Sequence, residues 1–271
     1  HIWGMTFWPQ DFMLLSWILI ICAFGLFTIT NLAGRVWCGY TCPQSAWSFI
    51  FMWLEERIEG TRNQRIKLDK APNSFDKIRK KSLKHISWLV VALWTGVTFV
   101  GYFSPIRELV PEFFTFNTGS WALFWIGFFT VATYINAGWM REQVCIYMCP
   151  YARFQSVMYD SDTLAVSYDL NRGEPRGKRS KNKAKAVEQE ALGDCVDCSM
   201  CVQVCPTGID IRDGLQYQCI GCALCIDACD DIMEKLDKPK GLIRYTTENE
   251  LDGGKTHLMR PRLIGYTLAL V

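Results

Sequence analysis

The chain has 271 residues, half of them hydrophobic and 14% aromatic, with a net charge of +2. That composition is unusual for a water-soluble enzyme and makes the bilayer the first solvent to consider. A charge so near zero gives no reason to expect a nucleic-acid partner, but the way the charge is distributed is informative.

The chain opens on an aromatic stretch, Trp3 to Pro9, of the kind found at membrane interfaces. Three long uncharged stretches then follow, at 12–32, 86–106 and 120–140. Each has about the 20 residues that a helix needs to cross some 30 Å of hydrocarbon. A signal peptide is shorter and does not recur, so membrane spans are expected and lipid is a partner. Between the first two, residues 43–60 carry Trp47, Ile50, Phe51 and Leu54 at helical spacing and close on Glu55, Glu56, Arg57 and Glu59. This pattern predicts an amphipathic helix lying at the membrane surface. From Thr61 to Lys81 there are eight Lys or Arg against two acidic residues, whereas Ser104 to Thr118 holds one Arg and two Glu. By the positive-inside rule the first loop faces the cytoplasm and the second the outside, so everything from Arg141 to about Arg262 is expected in the cytoplasm. Residues 171–192, with Arg172, Arg176, Lys178, Arg179, Lys181, Lys183 and Lys185, read as a basic linker near anionic lipid. A cysteine-rich soluble domain is expected at 193–255, and 261–271 begins another apolar run, read as the start of a further transmembrane helix. The membrane region of this division is 1–170.

Eight of the thirteen cysteines fall on the side assigned to the reducing cytoplasm, which favours metal ligation over disulfides. Cys195, Cys198, Cys201 and Cys205 are matched at a constant offset by Cys219, Cys222, Cys225 and Cys229. The spacing C-x2-C-x2-C-x3-C is the bacterial iron-sulfur run, in which three close thiolates hold one cubane and the fourth crosses to the other. Cys195, Cys198, Cys201 and Cys229 are therefore assigned to one [4Fe-4S] cluster, and Cys219, Cys222, Cys225 and Cys205 to a second. Structural zinc seldom uses eight cysteines in this doubled pattern. The second run has Asp230 where the first has Pro206, which changes the local turn rather than the ligation. The fold class expected is a membrane α-helical bundle plus a small α+β bacterial 2[4Fe-4S] ferredoxin-like domain.

A second repeat sets Cys38-Gly-Tyr-Thr-Cys42-Pro43 against Cys145-Ile-Tyr-Met-Cys149-Pro150, one copy after each inward-running span. Proline disfavours helix in the residue before it, so Cys42 and Cys149 are expected to close a turn and Pro43 and Pro150 to begin helices. A cysteine at a helix N-terminus favours thiolate, the form that binds metal. Soft thiolates select Cu(I), with Met52, Met140, Met148 and Met158 as nearby thioethers. A further cluster, a redox disulfide, or four small buried apolar residues are the other readings of Cys38, Cys42, Cys145 and Cys149. Cys22 reads as packing within a span, and His85 as interfacial. With His1, His85 and His257 the only histidines, a bis-histidine haem in the bundle has no ligands. Trp88, Trp94, Trp121 and Trp125 fit lipid contact. Neither a G-x-G-x-x-G nor a Walker-type loop occurs, which excludes nicotinamide-fold and ATPase readings.

Gly34-Arg-Val-Trp-Cys-Gly-Tyr-Thr-Cys-Pro-Gln44, Ser104-Pro-Ile-Arg-Glu-Leu109, Arg141-Glu-Gln-Val-Cys-Ile-Tyr-Met-Cys-Pro-Tyr-Ala-Arg-Phe-Gln155 and the double ferredoxin run together resemble the CcoG family, also called FixG or RdxA. The resemblance implies an accessory protein for assembly of cbb-type cytochrome c oxidase in the bacterial inner membrane. It implies an oxidoreductase that turns Cu(II) into Cu(I), with copper ions and oxidase assembly factors as partners. It also implies a further N-terminal span and a C-terminal periplasmic immunoglobulin-like domain. Cys38, Cys42, Cys145 and Cys149 match the family's membrane motifs proposed to handle copper, fed by the eight ferredoxin cysteines. A quinol-linked electron-transfer subunit and a non-redox scaffold are the competing readings; the electron donor is open, and a homodimer is compatible with the chain.

Overall fold

The structure, a computed structural model, describes residues 12–115, 117–177, 192–257 and 259–270. The aromatic opening Trp3 to Pro9 and the linker from Lys178 to Ala191 lie outside them. Among the described residues three helices are long and apolar enough to cross a membrane: Met13–Ala33, Phe75–Gly101 and Ser120–Met140. The described chain divides into two compact units, Thr41–Met148 and the remainder on either side of it.

Helix α1 (Phe12–Ala33) has no charged residue, and Cys22 is exposed along it rather than packed. Its buried positions start only at Thr30 and Asn31, near its C-terminal end. Gly34 then takes a left-handed φ of 59° and turns the chain into α2 (Val36–Tyr40). A Cβ at Gly34 would lie 2.7 Å from the carbonyl oxygen of Leu164, so the turn and the close approach both require glycine.

The unit from Thr41 to Met148 begins with α3 (Pro43–Glu59) and α4 (Arg62–Lys70), followed by α5 (Phe75–Gly101), α6 (Ile106–Phe114) and α7 (Ser120–Thr133). The last of these continues as a π-helical stretch, Tyr134–Met140, and a second π-helical turn follows at Val144–Met148. The second span differs from the expected 86–106. Its helix starts at Phe75 and stops at Gly101, where Pro105, lacking an N–H and disfavouring helix in Ser104, ends it and caps α6. The basic segment before it is therefore α4 and the first turns of α5.

Nor is α3 a solvated amphipathic helix on its acidic side. Phe51 is fully buried against Trp88, at 5.4 Å between ring centroids, and Glu55 and Glu59 are buried. Their charges are met locally. Glu55 pairs with Arg65 at 2.8 Å, Arg141 at 2.9 Å and Lys84 at 3.4 Å, and Glu59 pairs with Lys84 at 2.9 Å and Lys81 at 3.2 Å. Burying a carboxylate is costly unless it is paired, and here each has at least two cations. Trp88, expected at lipid, is a core residue: its indole donates to the Phe51 carbonyl at 3.0 Å, and Lys84 and Arg141 stand over its face. His85 is half-buried, with Nδ1 2.7 Å from the Tyr134 hydroxyl. Trp94 and Trp121 do project from their helices, whereas Trp125 packs beside Val100, Leu109 and Ile126.

The other unit resumes with α8 (Pro150–Met158), β1 (Ala165–Tyr168) and α9 (Leu170–Gly173). After the undescribed segment come α10 (Met200–Gln203), a 3-10 turn (Ile211–Asp213), α11 (Leu224–Lys235), β2 (Ile243–Thr246), α12 (Glu248–Leu251) and α13 (Pro261–Leu270). β1 and β2 pair antiparallel, Ala165 opposite Thr246 and Tyr168 opposite Ile243. The α+β body thus reaches upstream of residue 193. A strand needs a partner, and the only other described strand lies at its far end. Residues 171–177 are part of this body and not linker: Arg172 pairs with Asp194 at 2.6 Å and donates to the Lys240 carbonyl at 2.9 Å. Val166, Tyr168, Ile211, Met233, Leu242 and Ile243 form the core with Cys195 and Cys201.

The C-terminal end of α1 is bound into this unit. The Asn31 carbonyl accepts from Thr163 at 2.9 Å and from Arg260 at 3.3 Å, while the Asn31 amide donates to the Met158 carbonyl at 3.2 Å. α13, the expected start of a further span, packs on α1 with Tyr266 6.2 Å from the Phe27 ring.

Candidate metal centre

The two iron-sulfur runs are built alike in the backbone. Asp197 and Ser199 have left-handed φ of 52° and 57°, and Gly221 and Ala223, their counterparts in the second run, have 66° and 63°. Three of these four are not glycine, and each run then enters a helix at equivalent points, Met200 and Leu224. Left-handed backbone costs energy at a residue with a Cβ, so its recurrence marks a loop wound for a purpose. The absence of proline after Cys229 has the expected local effect: α11 runs on to Lys235, and Asp230 accepts from the Gly241 N–H at 2.9 Å, while α10 stops before Cys205-Pro206.

The cysteines fall into two neighbourhoods. Burial pushes the Cys229 thiol pKa up to about 12, and the groups acting on it electrostatically include Cys201, Cys195 and Cys198. Burial likewise raises Cys225 to about 12 and Cys222 to about 11, with Cys219 and Cys205 among their neighbours. A small void is lined by Cys205, Cys219, Cys222 and Cys225 together with Ile209, Ile211 and Ile220. Among the described residues no three His, Cys, Asp or Glu side chains lie at metal-holding distance. Ligands are commonly drawn in by the metal itself. The donor set, eight soft thiols of which Cys198 is exposed and the others are buried or half-buried, fits two [4Fe-4S] clusters: Cys195, Cys198, Cys201 and Cys229 would hold one, and Cys219, Cys222, Cys225 and Cys205 the other.

Helix α2, which carries Cys38 of the first membrane motif, lies directly on the second of these sites. A Cβ at Gly39 would stand 2.9 Å from the Gly221 carbonyl oxygen and 3.0 Å from the Cys222 Cα, so α2, carrying Cys38, touches the ligand loop backbone to backbone. Arg35, almost fully buried, donates to the carbonyls of Cys219 at 3.3 Å and Ala152 at 2.8 Å. Tyr159 feels both Cys219 and Cys38, and burial pushes its hydroxyl well above the ordinary tyrosine range. The Cys38 thiol donates to Gln155 Oε1 at 3.4 Å, and Gln155 is fully buried. A cavity of about 220 Å³ opens beside Cys219, lined by Arg35, Tyr159, Gln216, Tyr217 and Tyr245.

The turn chemistry expected of the repeat is present. Cys42 and Cys149 have extended backbone and cap α3 and α8, whose first residues are Pro43 and Pro150. Cys38 and Cys149 belong to the unit with the ferredoxin-like body, Cys42 and Cys145 to the other. Cys145 sits in the π-helical turn, and Met148 beside it is exposed. Sequence reasoning missed Arg35, Gly39, Gln155 and Tyr159. Three of them lay inside motifs already singled out, where a buried arginine or glutamine beside paired cysteines was the available signal.

Residues 140–248 match the 4Fe-4S dicluster domain family. The chain is 48% identical over 240 residues to the nitrogen fixation protein FixG of Rhizobium meliloti (strain 1021), covering 89% of this chain and 45% of that protein. It is 45% identical over 244 residues to protein RdxA of Cereibacter sphaeroides, covering 90% and 50%, and 44% identical over 269 residues to protein RdxB of the same organism, covering 96% and 56%. The chain therefore spans about half the length of the curated relatives it matches. No solved structure matches it. With the tandem iron-sulfur runs, the three span-length helices and this identity over most of its length, the chain belongs to the FixG/RdxA family.

Proposed function

We propose that this membrane iron-sulfur protein is a cupric reductase, passing single electrons to Cu(II) and yielding Cu(I) for assembly of a cbb-type cytochrome c oxidase. The observation that carries the reading is the backbone contact between α2 and the Gly221–Cys222 loop, which sets Cys38 beside the second cluster site. The clusters, when bound, supply one-electron donors. The chain's own residues do the rest: Cys195, Cys198, Cys201 and Cys229 and Cys219, Cys222, Cys225 and Cys205 hold them, and Gly39 permits the approach. Cys38, Cys42, Cys145 and Cys149 supply soft donors that favour Cu(I) over Cu(II). The balance is one electron from a reduced cluster to one Cu(II) ion, with no proton required. In this reading the ferredoxin-like body is cytoplasmic, as the charge of the 61–81 segment favours.

The cavity beside Cys219 favours a second reading, in which a quinol headgroup reduces the clusters and copper plays no part. The full-length protein with pre-reduced clusters is mixed with Cu(II) and a Cu(I) chelator, alongside a Cys38→Ala, Cys42→Ala, Cys145→Ala, Cys149→Ala variant of equal iron content. Cu(I) from the wild type and not the variant supports the proposal. Equal yields, or none from either, would sink it and leave quinol oxidation as the leading reading.

A further inference from the structure

Two arginines stand beside the two cluster sites, and the charges around them are unequal. Arg35 is 7% exposed, wrapped by the second ligand loop, with its guanidinium bonded to carbonyls and 4.9 Å from the Tyr217 ring centroid. Among the described residues no carboxylate pairs with it, so its charge is unneutralised. Burial raises the Cys219 thiol, and Arg35 acts in the opposite direction.

Arg212, near Cys201, is different. Asp197 and Asp210 each take a bond from it at 2.6 Å, so two negative charges meet one positive. Arg212 and Asp210 act on Cys201 in opposite directions, and Asp230 acts on Cys229. Asp194, next to Cys195, is shared between Arg172 and Lys238, which returns one positive charge. Among the described residues these three cations face four carboxylates near the first site, while Arg35 stands buried beside the second.

A thiolate-ligated cluster is anionic and gains one more negative charge on reduction, so a nearby cation favours the reduced form and a carboxylate the oxidised one. We infer that the site formed by Cys219, Cys222, Cys225 and Cys205 is the electron sink of the pair, and that Arg35 is the positioning residue that sets its potential. With both clusters bound, one electron would leave the first, which is oxidised, and arrive at the second, which is reduced, with no bond made or broken. The direction of flow is toward α2 and Cys38. The inference rests on the two-cluster part of the proposed function and not on copper as the acceptor.

The test is an equilibrium redox titration of the full-length protein, followed by electron paramagnetic resonance, with iron per chain measured in parallel. Arg35→Gln should lower the higher of the two potentials by at least 59 mV, a tenfold loss in the equilibrium constant for transfer between the clusters, and leave the lower one in place. Arg35→Lys, which keeps the charge, should hold both near the wild-type values, and Asp210→Asn should raise the lower one. The inference is overturned if Arg35→Gln moves neither potential or moves only the lower, or if Arg35→Lys shifts as far as Arg35→Gln. Should Arg35→Gln lose iron, Asp210→Asn decides alone, an unmoved lower potential counting against the charge argument. The expected shifts without copper reduction would reject the cupric reading and leave this one standing.

Discussion

Replacing Gly39 with alanine tests the contact on which the electron route depends. The new Cβ would lie 2.9 Å from the Gly221 carbonyl oxygen and 3.0 Å from the Cys222 Cα, against an ordinary contact distance of 3.4–4 Å. Both obstacles are backbone, so no rotamer change relieves them, and α2 and the ligand loop must separate by about half an ångström. Overpacking of this kind costs about 1–3 kcal/mol. On the functional side, a misplacement of about 1 Å can cost some hundredfold in rate, so half of it projects to about tenfold. The assay is rapid-mixing oxidation of pre-reduced clusters by Cu(II), with iron content and thermal unfolding measured on the same sample. Gly127→Ala is the control, because nothing lies within 4 Å of that position. A Gly39→Ala protein with wild-type unfolding and wild-type oxidation rate would refute both the packing argument and the route drawn from it.

Further outcomes follow from the same geometry. Lys84→Met should cost at most about 3 kcal/mol in detergent denaturation, because it leaves Glu59, whose side chain is 1% exposed, with Lys81 as its remaining cation, and the loss should shrink when Glu59→Gln is added. Trp88→Ala should lose about 3–5 kcal/mol, and Trp94→Ala, on the outer face of α5, under about 1 kcal/mol by the same unfolding measurement. Burial raises the Glu55 carboxyl, but Arg141, Arg65 and Lys84 together hold it below the ordinary glutamate value of 4.5. A depressed carboxylate stabilises the fold fully above that value and loses its contribution as pH falls below it. Glu55→Gln should therefore be less stable than wild type at neutral pH, with the difference shrinking under acid titration. Cys229→Ala should remove the first cluster while keeping the second, so that iron analysis falls from about eight to about four atoms per chain.

Much of this protein is settled by local sequence. Uncharged runs of span length must be helical, because a bilayer core offers the backbone no other hydrogen-bond partner, and α1, α5 and α7 follow from that. The offset of the cysteine runs sets out two four-thiol groups, and Pro43 and Pro150 place helix starts directly after Cys42 and Cys149. What lay beyond the sequence is whatever depends on partners distant along the chain. Glu55 and Glu59 looked solvated until α5 brought Lys84 against them, and Trp88 looked lipid-facing until Phe51 stacked on it. The α+β body was read as starting at 193 because β1 carries only four residues and is recognisable as a strand once β2 pairs with it. Above all, the closeness of α2 to the second ligand loop and the unpaired charge of Arg35 arise from residues more than 180 positions apart, Arg35 and Cys219 among them. Periodicity and spacing report on a residue's near neighbours. The contacts that would link an iron-sulfur body to a membrane cysteine motif exist only in the folded chain.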